Sequence, residues 1–318
     1  MLYSRRDVLK LGATVAGALA LGTDSLSAAI RSSRPVQEGQ LMKAIPASGE
    51  RIPAVGLGTA SSFSRAARTP AEHEELKEVL RLFTEMGGTV IDTAPTYGSS
   101  EEVLGELTAE VGNRDDVFWA TKISLRRETG REAGMAQMEQ SLDRLGHVDL
   151  NQVHNLGDWE TQLPLLHELK QDGVIRYVGI TTSRDGQYEA LAEILRTEEL
   201  DFVQFDYAVD NRTAEDELIP IAQDRGIATL VNGPFGRTRL FQRVGDRPVP
   251  EWAAEFGATS WAQFFLKWLL AHPAITVVIP ATSDPEHLVD NMGAGLGRLP
   301  TEDERRRMTE LVDSLPGA

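Results

Sequence analysis

Short apolar runs recur along this chain and alternate with stretches in which apolar residues are spaced three and four positions apart. The spacing of three and four is typical of an amphipathic helix, and residues 75–83 and 163–169 are two examples. Runs that are apolar throughout are typical of strands in a parallel sheet, because helices cover both faces of such a sheet. The runs predict eight strands, at residues 54–58, 89–92, 117–122, 149–154, 177–180, 202–205, 227–231 and 276–279.

Eight strands in alternation with helices predict an α/β protein, a (β/α)8 TIM barrel. The chain has 318 residues and is 41% hydrophobic, which suffices for the single large core of such a barrel. A β-hairpin with a Ser48-Gly49 turn is predicted at residues 43–52, where it would plug the barrel floor. A C-terminal helix is predicted within residues 298–315, with Thr301 as its N-cap and Glu304 at the capping-box position.

The composition argues against several classes of function. The formal net charge is -16, and no cluster of Lys and Arg lies on an element that would face a groove, so nucleic acid is not a predicted partner. The chain contains no Cys, which excludes disulfides, thiolate metal sites and cysteine nucleophiles. No metal site is predicted.

The first 29 residues resemble a targeting segment. Arg5 and Arg6, in Ser-Arg-Arg-Asp-Val-Leu-Lys, resemble the twin-arginine (Tat) signal of exported bacterial proteins. Residues 11–22 follow as a weakly apolar core that is too short for a stable membrane span, and Ser27-Ala28-Ala29 offers small residues for cleavage. This predicts a Tat signal peptide at residues 1–29, a linker at 30–40, a barrel at 41–318, the Tat export machinery as a partner and a periplasmic location. A frayed N-terminus with a chance Arg pair is the alternative.

Four polar residues lie at or just after the ends of predicted strands. Asp92 and Tyr97 occur in Ile-Asp-Thr-Ala-Pro-Thr-Tyr-Gly, Lys122 ends the third run and His154 ends the fourth. The C-terminal ends of barrel strands converge on one open face, where barrel enzymes gather their catalytic groups. Taken singly, Asp92 is also explained as an N-cap, Lys122 as a solvated lysine and His154 as a rim histidine. Taken together, these residues are hard to explain as structure.

The order and spacing of these four residues resemble the tetrad of the aldo-keto reductases, and the resemblance extends over about residues 45–308. It implies an NAD(P)(H)-dependent oxidoreductase that interconverts a small-molecule carbonyl and an alcohol. Tyr97 would be the general acid, Lys122 the cation that tunes its pKa, Asp92 the partner of Lys122, and His154 the donor that orients the carbonyl. Two alternatives share this site, a slow-turnover cofactor-binding module and a redox-neutral isomerase.

The resemblance also implies how the cofactor is held. Gln204 matches the glutamine that binds the nicotinamide amide, Thr181 and Thr182 replace a Ser-Asn pair, and Asn232 replaces the stacking tyrosine, so that stacking is lost or comes from Phe235. NADPH is expected because the family mostly uses it. NADH is the alternative, because the site lacks a permanent cation at two positions where relatives bind phosphate. The predicted cofactor contacts are Thr59, Asp92, Thr181, Thr182, Gln204, Asn232, Gly233, Phe235, Gly236, Arg237, Thr282, His287 and Asn291, with Ser283 and Arg239 as further phosphate contacts.

Two long loops are predicted to form the walls of the substrate pocket, because both leave the C-terminal ends of strands. They are residues 60–70 and 232–250. Ala60 stands where many relatives carry an aromatic residue, and Asn155 follows the catalytic histidine. The aromatic residues that could replace the missing wall are Phe63, Trp119, Trp159 and Phe235.

Overall fold

The computed structural model describes residues 39–125 and 129–317. The strands are β1 (Met42–Ala44), β2 (Arg51–Pro53), β3 (Leu57–Gly58), β4 (Val90–Asp92), β5 (Phe118–Ile123), β6 (Leu150–His154), β7 (Tyr177–Thr181), β8 (Phe202–Asp206), β9 (Ala228–Asn232) and β10 (Val277–Val278). The α-helices are α1 (Pro70–Glu85), α2 (Ser100–Val111), α3 (Arg131–Leu145), α4 (Trp159–Gln171), α5 (Tyr188–Thr197), α6 (Leu218–Asp224), α7 (Arg239–Val244), α8 (Trp261–Leu270), α9 (Pro285–Gly293) and α10 (Glu302–Ser314).

The eight strands β3 to β10 form one parallel sheet in chain order. The first and last strands meet through bridges from Val55 to Val278 and from Gly58 to Ala281, which close the sheet into a barrel. All eight predicted strands are present, and the prediction of a (β/α)8 barrel is confirmed.

Side chains alternate between the inside and the outside of the barrel, as the pleat of a strand requires. The apolar inner residues lie toward the N-terminal ends of the strands and form one buried cluster: Val90, Phe118, Ala120, Leu150, Tyr177, Phe202, Ala228, Leu230, Val277 and Ile279. Polar side chains take the next inward positions two residues later, as Asp92 follows Val90 and Lys122 follows Ala120. The barrel therefore has an apolar floor and a polar upper layer. The polar side chains that could take part in a reaction lie at the C-terminal face.

The predicted hairpin is confirmed as the plug of the barrel floor. Strand β1 pairs with β2 in antiparallel register, with Lys43 opposite Ile52. Ile45 and Ile52 are buried in the same cluster as the inner floor residues. The turn places Gly49 at φ +74°, a conformation that glycine adopts without steric cost.

The C-terminal helix is also confirmed. Thr301 caps α10 through the backbone N–H of Glu304, and the Glu304 carboxylate accepts from the Thr301 N–H, so both halves of the capping box are present. Gln40, within the predicted linker, is buried and donates to the Met292 carbonyl at 3.3 Å, so the ordered fold includes this residue.

The targeting segment at residues 1–29 and most of the linker lie outside the described residues. Within residues 39–125 and 129–317, none of the helices has the length and apolar character needed to cross a membrane.

Candidate active site

A buried ion pair forms the base of the site. The Lys122 Nζ lies 2.7 and 2.8 Å from the two carboxylate oxygens of Asp92 and also donates to the Thr93 carbonyl at 2.8 Å. The two side chains are 1% and 3% exposed, so solvent does not screen their attraction. Burial raises the pKa of Asp92. Burial lowers the pKa of Lys122, but the Asp92 carboxylate and Tyr97 outweigh it, and the raised pKa holds the ammonium charged.

Tyr97 lies above this pair, in the turn between β4 and α2. Its ring centroid is 5.0 Å from the Lys122 Nζ. The next residue, Gly98, has φ +64°, and a Cβ there would lie 2.1 Å from the Ser64 carbonyl oxygen. Only glycine permits this approach, by which the loop at residues 60–70 closes against the turn that carries Tyr97.

The Tyr97 phenol is held in its protonated form. Burial raises the pKa of Tyr97, and the charge of Lys122 lowers it by less, so the net direction is upward. We expected the neighbouring cation to favour phenolate, and in this structure burial outweighs it because the ring lies in a partly desolvated pocket. The phenol therefore keeps its proton at neutral pH.

His154 ends β6 beside the phenol. The His154 and Tyr97 rings meet edge to face, with centroids 5.9 Å apart and planes at 83°. The His154 Nδ1 lies 2.5 Å from the Ser124 Oγ and 3.4 Å from the Thr96 Oγ1. The structure thus brings together all four members of the predicted tetrad.

A chain of buried hydroxyls supports the end of β4. Thr93 donates to Ser100, Ser100 donates to Thr59, and Thr59 donates to the Asp92 carbonyl, at 3.1, 2.9 and 2.8 Å. Thr59 is 1% exposed, so its hydroxyl serves this internal chain. The contact between Thr59 and the cofactor stays a prediction.

Two glutamines lie on the inner face beside the ion pair. The Gln152 Nε2 donates to the Gln204 Oε1 at 3.0 Å, and both side chains oppose the effect of burial on the pKa of Asp92. The Gln152 Oε1 is buried without a hydrogen-bond partner. On the neighbouring strand, a Cβ at Gly179 would lie 2.9 Å from the Gln152 Cγ, so the glycine makes room for the glutamine.

The ends of β7 and β9 carry further predicted cofactor contacts. Thr181 and Thr182 are buried, and the Thr182 hydroxyl donates to the Gln187 Oε1 at 2.6 Å. The Asn232 Oδ1 is buried without a hydrogen-bond partner. Gly233 and Gly236 have φ +59° and +56°, as expected of a loop whose backbone curves over a ligand.

The two arginines predicted to meet phosphate are paired with acids. Arg237 donates to the Asp206 carboxylate at 2.8 Å, and Arg239 donates to Asp210 at 2.7 and 2.9 Å. The Arg237 side chain is 64% exposed and lies at the mouth of the barrel, where it can exchange partners. Its predicted contact with the pyrophosphate would replace the bond to Asp206.

The segment that carries the predicted cofactor contacts Thr282, His287 and Asn291 includes the start of α9, which is acidic. Asp284 caps α9, and its carboxylate accepts from the backbone N–H groups of Glu286 and His287 at 2.8 and 3.2 Å. The His287 N–H holds the pKa of Asp284 below its ordinary value, so this group is ionised. The His287 side chain is 75% exposed, Thr282 binds the Asp284 backbone and Asn291 is buried on α9.

The substrate walls differ from those we expected. Trp119 and Phe63 are fully buried in the cluster between the barrel and its helices, so the interpretation of either as an exposed aromatic wall is wrong. Trp119 points outward because it alternates with the inward Phe118 and Ala120. Trp159 and Phe235 are partly buried, and both stay candidates for the wall.

Sequence reasoning missed Gln152, Ser124 and Thr96. A signal for the first two was present, since Gln152 precedes His154 by two positions and Ser124 follows Lys122 by two. Side chains two apart on a strand share a face, so both had to point inward beside known site residues. Thr96 carried no such signal, because its place depends on the turn before α2.

The sequence and the barrel of this chain are similar to those of known proteins. The model of the aldo/keto reductase family matches residues 54–312, which includes every barrel strand. The chain belongs to the aldo/keto reductase family. The predicted resemblance is therefore confirmed, as is its consequence that the protein is an enzyme, an oxidoreductase.

Individual relatives are distant but cover most of the chain. An aldo-keto reductase of Gibberella moniliformis is 30% identical over 310 residues, covering 83% of this chain and 91% of the relative. Methylglyoxal reductase YeaE of Escherichia coli is 29% identical, covering 78% and 88%. A solved aldo/keto reductase of Klebsiella pneumoniae, in complex with NADP and acetate, is 25% identical with a TM-score of 0.69, covering 83% and 93%.

Proposed function

We propose that this protein reduces the carbonyl group of a small molecule to an alcohol, and catalyses the reverse reaction, with NADPH as the cofactor. The observation that carries the proposal is the Tyr97 phenol held over the buried Lys122–Asp92 pair and beside His154. When bound, NADPH supplies the hydride. The residues of the chain then have to bind, orient and protonate the substrate.

Tyr97 is the proposed acid. Negative charge builds on the carbonyl oxygen during reduction, and a protonated phenol at hydrogen-bond distance neutralises it by donating its proton. The phenolate that remains is stabilised by the Lys122 ammonium 5.0 Å from the ring centroid, and Asp92 keeps that ammonium charged. In the direction of oxidation, the same phenolate accepts the proton of the alcohol.

His154 is the proposed orienting group. A ring N–H aimed at the carbonyl oxygen fixes the position of that oxygen against Tyr97 and bears part of the developing charge. The edge-to-face contact of the two rings, 5.9 Å between centroids, places the two donors around one small volume.

The residues at the strand ends fit a nicotinamide cofactor. The buried Gln152 Oε1 and Asn232 Oδ1 lack hydrogen-bond partners within the described parts of the chain, and a carboxamide N–H₂ offers the donors that such acceptors need. Gln204 accepts a hydrogen bond from Gln152 and would bind the same amide. Gly233, Gly236 and Arg237 would hold the pyrophosphate. NADP in the Klebsiella pneumoniae relative supports the choice of NADPH.

Turnover with a panel of small aldehydes, ketones and sugars tests the proposal, with NADPH oxidation followed by absorbance. We expect oxidation of one NADPH for each carbonyl reduced. Binding of cofactor without turnover would instead favour the slow-turnover binding module. Conversion of a substrate without net oxidation would favour the redox-neutral isomerase. The methylglyoxal reductase among the relatives makes methylglyoxal a reasonable first substrate.

We predict weak discrimination between NADPH and NADH. Each charge-assisted bond to a 2′-phosphate contributes about 1.5–3 kcal/mol, and here Arg239 is committed to Asp210 while His287 is exposed and carries no permanent charge. Titration of protein fluorescence should give a Kd for NADPH less than about a thousandfold below that for NADH. A larger ratio would contradict the prediction and imply that an arginine leaves its carboxylate for the phosphate.

A second experiment removes the charge of Asp284 and compares the Kd values for NADPH and NADH again. Asp284→Asn keeps a side chain that can cap α9 but removes a negative charge from the segment expected to meet the 2′-phosphate. We expect the Kd for NADPH to fall about three- to tenfold and the Kd for NADH to change little. Asp303→Asn, at the start of α10, is the matched control. Equal changes for both cofactors would show that Asp284 lies away from the phosphate.

We further propose that the protein is exported by the Tat route to the periplasm. The support is the pair Arg5-Arg6 and the apolar core that follows it. The Tat route carries folded proteins, so the barrel would fold and load its cofactor in the cytoplasm. Cofactor bound to the native state alone stabilises it by about 2.7 kcal/mol at a hundredfold excess over Kd, which favours loading before export.

Cell fractionation of two variants tests the export proposal. We predict that changing Arg5 and Arg6 to Lys retains the precursor in the cytoplasm, and a normal periplasmic amount would contradict the targeting. Gln204→Ala together with Asn291→Ala weakens the predicted cofactor site and should lower periplasmic protein more than total protein. Purified periplasmic protein without nicotinamide would contradict the loading step and leave the targeting intact.

A further inference from the structure

We infer that Ser124 is a positioning residue, which sets the tautomer of His154 so that its Nε2 carries the proton offered to the substrate. The inference rests on the proposed function, because it gives the orienting role of His154 a structural cause. Ser124 lies two positions after Lys122 on the inner face at the end of β5 and is 5% exposed. Its Oγ is 2.5 Å from the His154 Nδ1.

The direction of this hydrogen bond follows from the surroundings of the hydroxyl. Within residues 39–125 and 129–317, the Ser124 Oγ has no hydrogen-bond partner other than the His154 Nδ1. A buried hydroxyl has one proton to donate, and leaving it without an acceptor is costly. Ser124 therefore donates to Nδ1. An Nδ1 that accepts carries no proton in the neutral ring, so the proton is on Nε2.

The backbone of Ser124 is fixed from outside the barrel. Gln137 on α3 accepts from the Ser124 N–H at 2.7 Å and donates to the Ser124 carbonyl at 3.2 Å. A clamp of two hydrogen bonds on one residue leaves the backbone little freedom to turn the hydroxyl away. Gln137 holds the Ser124 backbone from outside the barrel, and the Ser124 hydroxyl bonds to His154 inside it. The tautomer of His154 is therefore set before the substrate binds.

Thr96 provides a second, weaker contact to the same nitrogen. Its Oγ1 lies 3.4 Å from the His154 Nδ1, beyond the usual range of a strong hydrogen bond. Nδ1 has a single lone pair in the plane of the ring, so it accepts one strong bond, and the distances assign that bond to Ser124. Thr96 is the residue that would partly replace Ser124 if its hydroxyl were removed.

The first test reads the tautomer directly. The chain has six histidines, and ¹⁵N-histidine labelling with His154→Gln for assignment identifies the ring signals of His154 in the full-length protein with NADPH. At a pH well above the ordinary histidine pKa of about 6.5, we expect the Nε2–H form. We expect Ser124→Ala to give a mixture of tautomers and Ser124→Thr to restore the Nε2–H form. Nδ1–H in the unsubstituted protein would overturn the inference.

The second test measures turnover. Ser124→Ala should lower kcat about tenfold, as expected for one lost hydrogen bond, with the Kd for NADPH unchanged. Adding Thr96→Val should lower kcat further, because the substitute donor is then removed as well. Ser48→Ala, at the opposite end of the barrel where Ser48 meets Tyr177, is a matched control with an unchanged kcat.

The outcomes separate this inference from the proposed function. Unchanged kcat in both Ser124→Ala and its double variant with Thr96→Val would overturn the positioning role while leaving carbonyl reduction intact. Absence of carbonyl reduction in the unsubstituted protein would refute the proposed function, and the tautomer measurement would still decide which atom Ser124 donates to.

Discussion

Replacing Tyr97 with Phe is expected to lower kcat for carbonyl reduction by at least about 10², because the substitution removes the proposed acid and little else. General acid catalysis contributes about 10²–10⁴ to a rate, which sets the size of the loss. The aromatic ring that lies over Lys122 is kept, so the Kd for NADPH should remain near that of the unsubstituted protein. Steady-state kinetics and a fluorescence titration of the same sample measure both quantities.

The pH dependence provides an internal check on this result. Burial raises the pKa of Tyr97 above its ordinary value, with Lys122 opposing it. The protonated phenol is present below that pKa and is lost as the pH rises through it, so the reduction rate should hold across neutral pH and fall only in alkali. Tyr97→Phe should remove the alkaline fall. A variant with near-normal kcat would place the donor elsewhere, and His154 is the nearest alternative.

Replacing Asp92 with Asn is expected to destabilise the fold by about 3–5 kcal/mol, because it leaves the Lys122 ammonium buried without a compensating charge. Lys122 is 1% exposed and would keep as acceptors the Thr93 carbonyl and one amide oxygen at position 92, with no negative charge beside it. The free energy of unfolding from urea denaturation measures the loss. Asp303→Asn removes a carboxylate from an exposed pair with Arg306 and should leave that free energy within the scatter of the measurement.

A double variant separates the charge from the shape of the side chain. Asp92→Asn with Lys122→Met removes both charges, so the double variant should be more stable than Asp92→Asn alone. Both variants should have lowered reductase activity, because Lys122→Met removes the ammonium that stabilises the Tyr97 phenolate and Asp92→Asn removes the carboxylate that keeps this ammonium charged. Equal stability of the single and double variants would contradict the view that an uncompensated charge causes the loss.

Much of the barrel was predictable because its periodicities are local. The apolar runs that became β4 to β9 are buried on both faces of the sheet, and such strands have a continuous apolar signature. The capping box of α10 lies within four consecutive residues, from Thr301 to Glu304. Asp92, Lys122 and His154 were found from their place at the ends of these runs, since parallel strands in a barrel end on one face.

Other features depended on residues that are distant in the chain, and only the tertiary structure decided them. Whether Trp119 faces the pocket or the helices depends on the register of β5 between two neighbouring strands, and the register turns it outward. The partners of Arg237 and Arg239 come from the end of β8 and the loop after it, about 30 residues earlier. The net pKa of Tyr97 is a balance between burial and a charge, and burial is a property of the assembled barrel.

The sequence by itself determined the order of the elements and which polar residues reach the catalytic face, because hydrophobic period and strand direction are both read along the chain. The tertiary structure decided which of those residues touch. Ser124 meets His154 because their strands lie side by side, and Gln152 meets Gln204 because their strands are one strand apart in the barrel, although the paired residues are 30 and 52 positions apart in the chain. The packing of the strands sets the distance between two side chains, and the spacing of the residues along the chain does not specify that packing.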